Sequence, residues 1–281
     1  MSIEWISILI VVGMVLLMAL GLPLAWSIGA VAVAFVLYLF DPSVMMMLVS
    51  RVFDMSMNYT LMSVPLFVLM AGLLQRAGIA DQLFRAVNVW AGGVRGGLAI
   101  GTIIANAIMA SMVGIIGAEI VTFGLIALPE MLNKKYDYKL ALGSIAAGGG
   151  LATLIPPSVV FIVYGMTAGV SVGELFLAGV GPGLMLAGMF IAYVIFHCWR
   201  HPEAAPLIAE ELRDMPIRQK IATLKELILP LCIAGGVLGS IYAGVATPSE
   251  AAGVGVIGAM IAAVAVLATM PFFHRRKRPS M

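Results

Sequence analysis

Apolar stretches close to twenty residues long recur along this chain, parted by short polar, glycine- or proline-marked breaks. Residues 3–20 predict a first membrane span, Gly21-Leu22-Pro23 turns the chain, and residues 24–40 predict a second span ended by Asp41-Pro42. After a short apolar piece with Arg51 and Asp54, residues 58–74 predict a third span. Residues 75–95 change pattern. Arg76, Asp81, Gln82, Arg85 and Asn88 alternate with Leu83, Phe84, Val87 and Trp90 at three- and four-residue spacing, as in an amphipathic helix lying at the membrane interface. Residues 96–131 are apolar with a polar, glycine-marked centre: Ser111, Gly114, Gly117, Ala118 and Glu119. Each arm has roughly fifteen to eighteen residues, short of the twenty or so that cross a bilayer, which predicts a re-entrant hairpin. Two short full spans are the alternative, and loop charges do not separate the two.

Beyond Lys134, Lys135 and Lys139, residues 138–169 predict a crossing interrupted by Gly148-Gly149-Gly150 and then Pro156-Pro157. Glycine permits unusual dihedrals, and proline removes a helix hydrogen bond. The freed backbone groups are tolerated at membrane depth only where protein buries them or a wet site receives them. The first half-helix, ending near Gly150, offers carbonyls to a cation. The second, starting near Pro157 or Ser158, aims N–H groups at an anion. A proline-kinked packing helix is the plainer reading. Residues 173–199 predict another span, 200–224 a second polar interfacial arm, and 226–243 and 247–268 two last spans. Thr247-Pro248-Ser249-Glu250 has the chemistry of a helix start. A basic tail, His274-Arg275-Arg276-Lys277-Arg278, follows.

With 62% hydrophobic and 11% charged residues and a mean hydropathy of +1.09, the 281-residue chain lies far from the range of soluble domains. The expected class is an all-α polytopic membrane protein embedded in a lipid bilayer. The basic residues sit in short loops rather than in one patch, so nucleic acid is not an expected partner. With the N-terminus outside, nearly all of them fall on the inner face. Cys198 and Cys232 lack metal or redox spacing and read as packing residues. The first span has only Glu4 as an early charge and no small-residue cleavage site, unlike a signal peptide.

Residues 18–36 resemble residues 241–261: each has an apolar span, a Gly-to-Pro turn and then an Ala/Gly/Val-rich span. Five crossings, an odd number, separate the starts of the two pairs, so the second pair is inverted. Inverted repeats with broken helices are the plan of many secondary transporters. Shared Ala/Gly/Val composition is the alternative. A second repeat matching the first, roughly two hundred residues, would need well over a hundred beyond Met281, so the expectation is a first repeat plus the start of a second.

Several stretches carry a family likeness: SVPLFVLMAGLLQRAGIADQLF (63–84), GGVRGGLAIGT (92–102), ALPEMLNKKYDYKLALGSIAAGGGLATLIPPSVVFIVYG (127–165), LFLAGVGPGL (175–184) and ATPSEAAGVG (246–255). On these the chain resembles the large membrane (M, DctM-like) subunit of TRAP transporters, the tripartite ATP-independent periplasmic transporters. The resemblance implies an elevator-type, ion-transporter-superfamily-like fold in the bacterial or archaeal cytoplasmic (inner) membrane. It also implies sodium-coupled uptake of carboxylates and other organic anions, with sodium as coupling ion and no other cofactor. The implied partners are a small four-helix membrane subunit and a periplasmic substrate-binding protein. The implied parts are scaffold helices (1–76), an arm (77–95), a transport-domain hairpin (96–132), the broken helix and following span (133–199), a second arm (200–224), the start of a second repeat (225–269) and a tail (270–281). Two departures stand out. The family's hairpin tip often reads Ser-Gly-Ser-Ser, whereas here it reads Gly114-Ile115-Ile116-Gly117-Ala118-Glu119. The other transport half does not appear in these residues, which reads as a truncated or split subunit.

Sodium takes hard oxygen ligands. The candidate cation ligands are Ser111, Gly114 and Gly117 at the tip and Gly149, Gly150, Thr153 and Pro156 at the break, mostly through carbonyls. Close helix packing is the other use of such glycines. Glu119, a carboxylate at membrane depth, and Pro157 and Ser158 are the substrate candidates. Glu119 serves equally well as an acidic residue favouring a helix N-terminus. His197 and His201 lack a paired carboxylate, which argues against a proton relay. An intramembrane enzyme would need a nucleophile–base pair or a metal set. No Ser/His pair, HExxH or paired Asp motif is present, so no enzymatic activity is expected.

Overall fold

The computed structural model describes residues 3–41, 43–206, 220 and 223–274, and it divides into two compact units at Asn58/Tyr59. In the first unit, α1 (Ile3–Ala19) and α2 (Leu24–Leu39) form a helical hairpin. Gly21 reverses the chain with φ +90°, a conformation that favours glycine. Gly13 lets the two helices close up, since a Cβ there would stand 3.4 Å from Val31 Cγ2. Their outer faces are apolar and exposed, Trp5 and Trp26 among them. The piece around Arg51 is a helix the hydropathy pattern did not single out, α3 (Ser43–Ser56). Asp41 starts it by accepting the Ser43 N–H at 3.0 Å, and that bond lowers the pKa of its exposed carboxyl. None of its residues is buried.

The second unit opens on a 3-10 turn (Tyr59–Met62) and continues through α4 (Ser63–Arg76), α5 (Ile79–Ala91), α6 (Gly97–Val113) and α7 (Ile116–Asn133). The broken crossing comprises α8 (Tyr138–Gly150), a 3-10 turn (Leu151–Thr153) and α9 (Val159–Ala168). Then come α10 (Val172–Arg200), α11 (Lys225–Tyr242) and α12 (Pro248–His274). Among the described residues, 59–76, 116–133 and 172–200 are helical stretches long and apolar enough to cross a membrane. Helices α1, α2 and α6 have 16 or 17 residues. At 1.5 Å per residue such helices reach about 24–26 Å, a little short of the ~30 Å hydrocarbon core. The chain is a polytopic α-helical membrane protein.

Helix α6 is the centre of the second unit. Thirteen of its residues are buried, and it packs against α5, α7, α8 and α10. The apolar face of α5 that the sequence period marks out is turned into protein. Leu83, Phe84 and Val87 are buried, and Phe84 meets Phe123 of α7 edge-on at 6.5 Å between ring centroids. Helix α12 lies along α4, with Gly255 receiving the Met70 side chain. Its start is a capping box: the Thr247 N–H donates to Glu250 Oε2 at 2.8 Å, and the Glu250 N–H donates to Thr247 Oγ1 at 3.4 Å. It runs to His274, past residue 268 where the pattern placed its end. Of the second polar arm, residues 207–219 and 221–222 lie outside the described residues, as do Arg275 to Arg278 of the basic tail. The arm's first residues are tied to the α7–α8 turn by the Asp137 N–H, which donates to Ala204 O at 2.8 Å. Cys198 is buried against the Gly96 turn, whereas Cys232 is exposed, so packing accounts for Cys198 alone.

Candidate functional site

The interruption stands where the glycines and prolines put it. Asp137 caps α8 by accepting the Lys139 and Leu140 N–H groups at 2.8 and 3.1 Å. The helix ends at Gly150, and Ser158 is the N-cap residue of α9. Between them the backbone is closed by local bonds. Leu154 N–H and Ile155 N–H both donate to Leu151 O, Thr153 Oγ donates to Gly150 O at 2.8 Å, and Ser158 Oγ donates to Thr153 O at 2.9 Å. The Pro156–Pro157 peptide is cis. Helix α10 covers the break with a small-residue groove: Gly179 faces Leu154 O and Phe161, and Gly183 faces Ile155.

The tip of the α6–α7 hairpin reaches this break. Gly114 has φ +62°, and a Cβ added to it would run into the Pro157 carbonyl. The Val159 N–H donates to Gly114 O across a long 3.5 Å. The structure therefore brings Gly114, Pro157 and Ser158 together. Ser111 and Pro156 line one cleft of about 480 Å³ between α6, the break, α10 and α11. Its other lining residues are apolar, among them Ile108, Leu184 and Leu231, and the Ser111 hydroxyl already donates to Ile108 O at 2.6 Å.

The three consecutive glycines differ in use. Gly148 makes room for the Asn106 amide and Gly149 for Ile120 of α7, where close packing requires the missing side chain. Gly150 has open space around it and, with Thr153, is half-buried at the end of α8. Gly117 is exposed and nothing approaches it, so it is the one tip candidate set apart from the break. The Ser158 hydroxyl, fully buried, is committed inside the break, and the Val159 N–H is taken by Gly114 O, which leaves the later first-turn N–H groups of α9 as the polar face on that side.

Glu119, on the first turn of α7, is 1% exposed, and neither of its oxygens meets a hydrogen-bond donor. Composition alone did not single out Asn106. It is fully buried on α6, its Nδ2 donates to Thr102 O at 3.0 Å, and its Oδ1 has no partner. One signal was available: an amide inside the apolar run of residues 97–113, four residues after Thr102. Asn88 of α5 is also buried, against Gly101, with neither amide atom paired. At the loop end of the bundle, the buried Tyr136 hydroxyl accepts the Leu98 N–H at 3.3 Å, and burial pushes its pKa up to about 12. Tyr193 stacks on His197 along α10, and His201, just past its end, lies tilted against His197. Among the described residues no three His, Cys, Asp or Glu side chains gather as a metal centre.

Discontinuous helices recur in secondary transporters, and sequence comparison points the same way. The chain is 32% identical over 255 residues to the C4-dicarboxylate TRAP transporter large permease protein DctM of Vibrio cholerae, covering 89% of this chain and 53% of that one. It is 36% identical over 203 residues to the ectoine TRAP transporter large permease protein TeaC of Halomonas elongata, covering 72% and 46%. It is 30% identical over 250 residues to the sialic acid TRAP transporter large permease protein SiaM of Vibrio cholerae, covering 89% and 57%. The chain thus spans about half the length of the curated relatives it matches. Residues 11–278 match the family model of the tripartite ATP-independent periplasmic transporter, DctM component, and the chain belongs to that family.

Proposed function

We propose that these residues form the first half of a TRAP large permease subunit, and that they do not complete a transport cycle by themselves. The observation that carries this is the hairpin tip seated on the broken helix, in a chain covering about half of its relatives' length. The whole subunit takes up carboxylates or other organic anions, driven by sodium. A periplasmic binding protein delivers the substrate, and a small four-helix membrane subunit lies beside the scaffold. Sodium sits where the tip carbonyls and the end of α8 converge, with Gly114, Gly150, Thr153 and Pro156 around it. The substrate's anionic end meets the first turn of α9, beyond Pro157 and Ser158.

The hairpin is re-entrant in this reading. Helices α8 and α9 together cross the bilayer, and α6 and α7 reach only as far as the break between them, so the tip lies at mid-depth. The α1–α2 and α11–α12 pairs are related by inversion. Their turns support this, each having a glycine in the left-handed region, Gly21 at φ +90° and Gly244 at φ +69°. An elevator motion of hairpin and broken helix against a scaffold completes the scheme, with the N-terminus outside.

Two measurements test the reading. In proteoliposomes with a sodium gradient, a binding protein and a small subunit, residues 1–281 are expected to give no uptake. Substrate accumulation would overturn the half-subunit reading. A cysteine placed at Ile116, with Cys198 and Cys232 replaced by alanine, is expected to resist impermeant maleimide from outside. Rapid labelling from that face would mean two full spans.

A further inference from the structure

Helix α3 repeats a pair of apolar residues every four positions: Val44-Met45, Leu48-Val49 and Val52-Phe53. Ser43, Ser50 and Asp54 gather on the other side, with Arg51 at its border, so the helix has one apolar stripe and one polar face. Within the first unit α3 touches α2, and Val44, Met45 and Leu48 are half-buried. The stripe then runs on uncovered: Val49, Val52 and Phe53 are 54, 58 and 59% exposed.

The connection to α2 fixes the level at which this face lies. The α1–α2 hairpin turns exposed apolar side chains outward along its length, as a lipid-facing pair does. Its end remote from Gly21 carries the exposed aromatic residues Trp5, Tyr38 and Phe40, the kind that anchor a span at the membrane–water boundary. Only residues 40–42 part the two helices, so α3 starts within about 14 Å of where α2 ends. It does not cross from there. Its 14 residues reach about 21 Å, short of the ~30 Å hydrocarbon core. A crossing would also put Ser50, Arg51 and Asp54 at membrane depth. It would move Arg76, Arg85 and Arg95, beyond the next crossing at 59–76, to the outer side. With the N-terminus outside, Arg51 is the one Lys or Arg left on the outer face. A guanidinium at the border of an apolar stripe suits a lipid phosphate.

We propose that α3 is a membrane-surface helix, lying flat in the outer leaflet and continuing the lipid-facing surface of α1–α2. The exposed part of its stripe enters the upper acyl region of the phospholipids, Ser43, Ser50 and Asp54 face water, and Arg51 meets headgroup phosphates. This placement needs a bilayer but no transport cycle, so it stands or falls apart from the function proposed above.

The test uses the full 281-residue chain in phospholipid vesicles, with Cys198 and Cys232 replaced by alanine. Nitroxide labels are attached one at a time through Val49→Cys, Ser50→Cys, Val52→Cys, Phe53→Cys and Asp54→Cys, with Val11→Cys at the exposed middle of α1 for calibration. Collision with oxygen, which partitions into lipid, is compared with collision with a water-soluble nickel chelate. The oxygen-to-nickel ratio is expected to be several-fold higher at Val49, Val52 and Phe53 than at Ser50 and Asp54, and lower at all five than at Val11. Apolar positions shielded from both reagents would overturn the proposal, because protein rather than lipid then covers the stripe. Nickel access equal at all five would also overturn it, placing α3 in water, as would a ratio climbing along the helix to the Val11 value, which marks a crossing. Arg51→Glu sets a negative charge against the phosphates and is expected to lower the ratio at Val52. A ratio unchanged there would overturn the phosphate contact.

Discussion

Single residues at the tip and the break differ in what a methyl group would cost them. Gly114 is left-handed and pressed on the Pro157 carbonyl, so Gly114→Ala combines backbone strain with a collision. We expect a loss of about 1–2 kcal/mol from the strain alone. Gly117, three residues on, is helical and has open space around it. Gly117→Ala is expected to stabilise α7 by about 0.5–1 kcal/mol. Thermal unfolding of the two variants side by side checks the contrast, and equal effects would mean the tip does not rest on the break. Tyr136 gives a test in alkali. Its buried phenol titrates near 12, above the ordinary value of 10, so folding retains a proton that the unfolded chain releases. Its stabilising effect is complete below pH 10 and is lost as pH rises through 12. Tyr136→Phe is expected to flatten that alkaline decline in stability.

Whole elements follow from local signals that the structure then puts to use. The α8 start depends on Asp137, whose carboxylate accepts two backbone N–H groups. Asp137→Ala is expected to cost about 1 kcal/mol, read as a lowered unfolding midpoint, with Asp137→Asn keeping most of it. Helix α5 shows how an amphipathic period underdetermines its partner. The same stripe of Leu83, Phe84 and Val87 suits a membrane surface or a protein groove, and here α6 and α7 take it. Lipid tails are as apolar as a neighbouring helix, so packing fit rather than hydrophobicity decides between them. Phe123→Ala, emptying the contact with Phe84, is expected to destabilise the bundle by about 3–5 kcal/mol. A cost below 1 kcal/mol would mean α5 is only loosely docked.

At the scale of the molecule, one bundle of α5–α8 presents its hairpin tip to a broken helix, and α10 closes over the outside of that break. The cation proposed between tip and break would be shared by α6, α7 and the end of α8. If sodium binds there, hydrogen exchange is expected to slow in all three together, because a shared ligand ties their opening to one event. Exchange unchanged in all three would overturn that placement.

Much of this was written in the chain's local order. Hydropathy set the number and extent of most long helices, Gly148-Gly149-Gly150 with Pro156-Pro157 set the interruption, and Thr247 with Glu250 set the start of α12. These depend on backbone chemistry within a few residues, which a linear pattern records. Helix α3 escaped because its charges break the apolar run without breaking the helix. What only the tertiary structure decided is which glycine meets which neighbour. Asn106 and Gly148 are far apart in sequence, as are Ile120 and Gly149, and nothing in either run names the other. The meaning of Glu119 changed for the same reason. From sequence Glu119 reads equally as a substrate contact and as an acid favouring a helix start, and only the packing shows it buried with neither oxygen meeting a donor. Burial and pairing belong to packing between helices, and packing is decided only when all of them are in place.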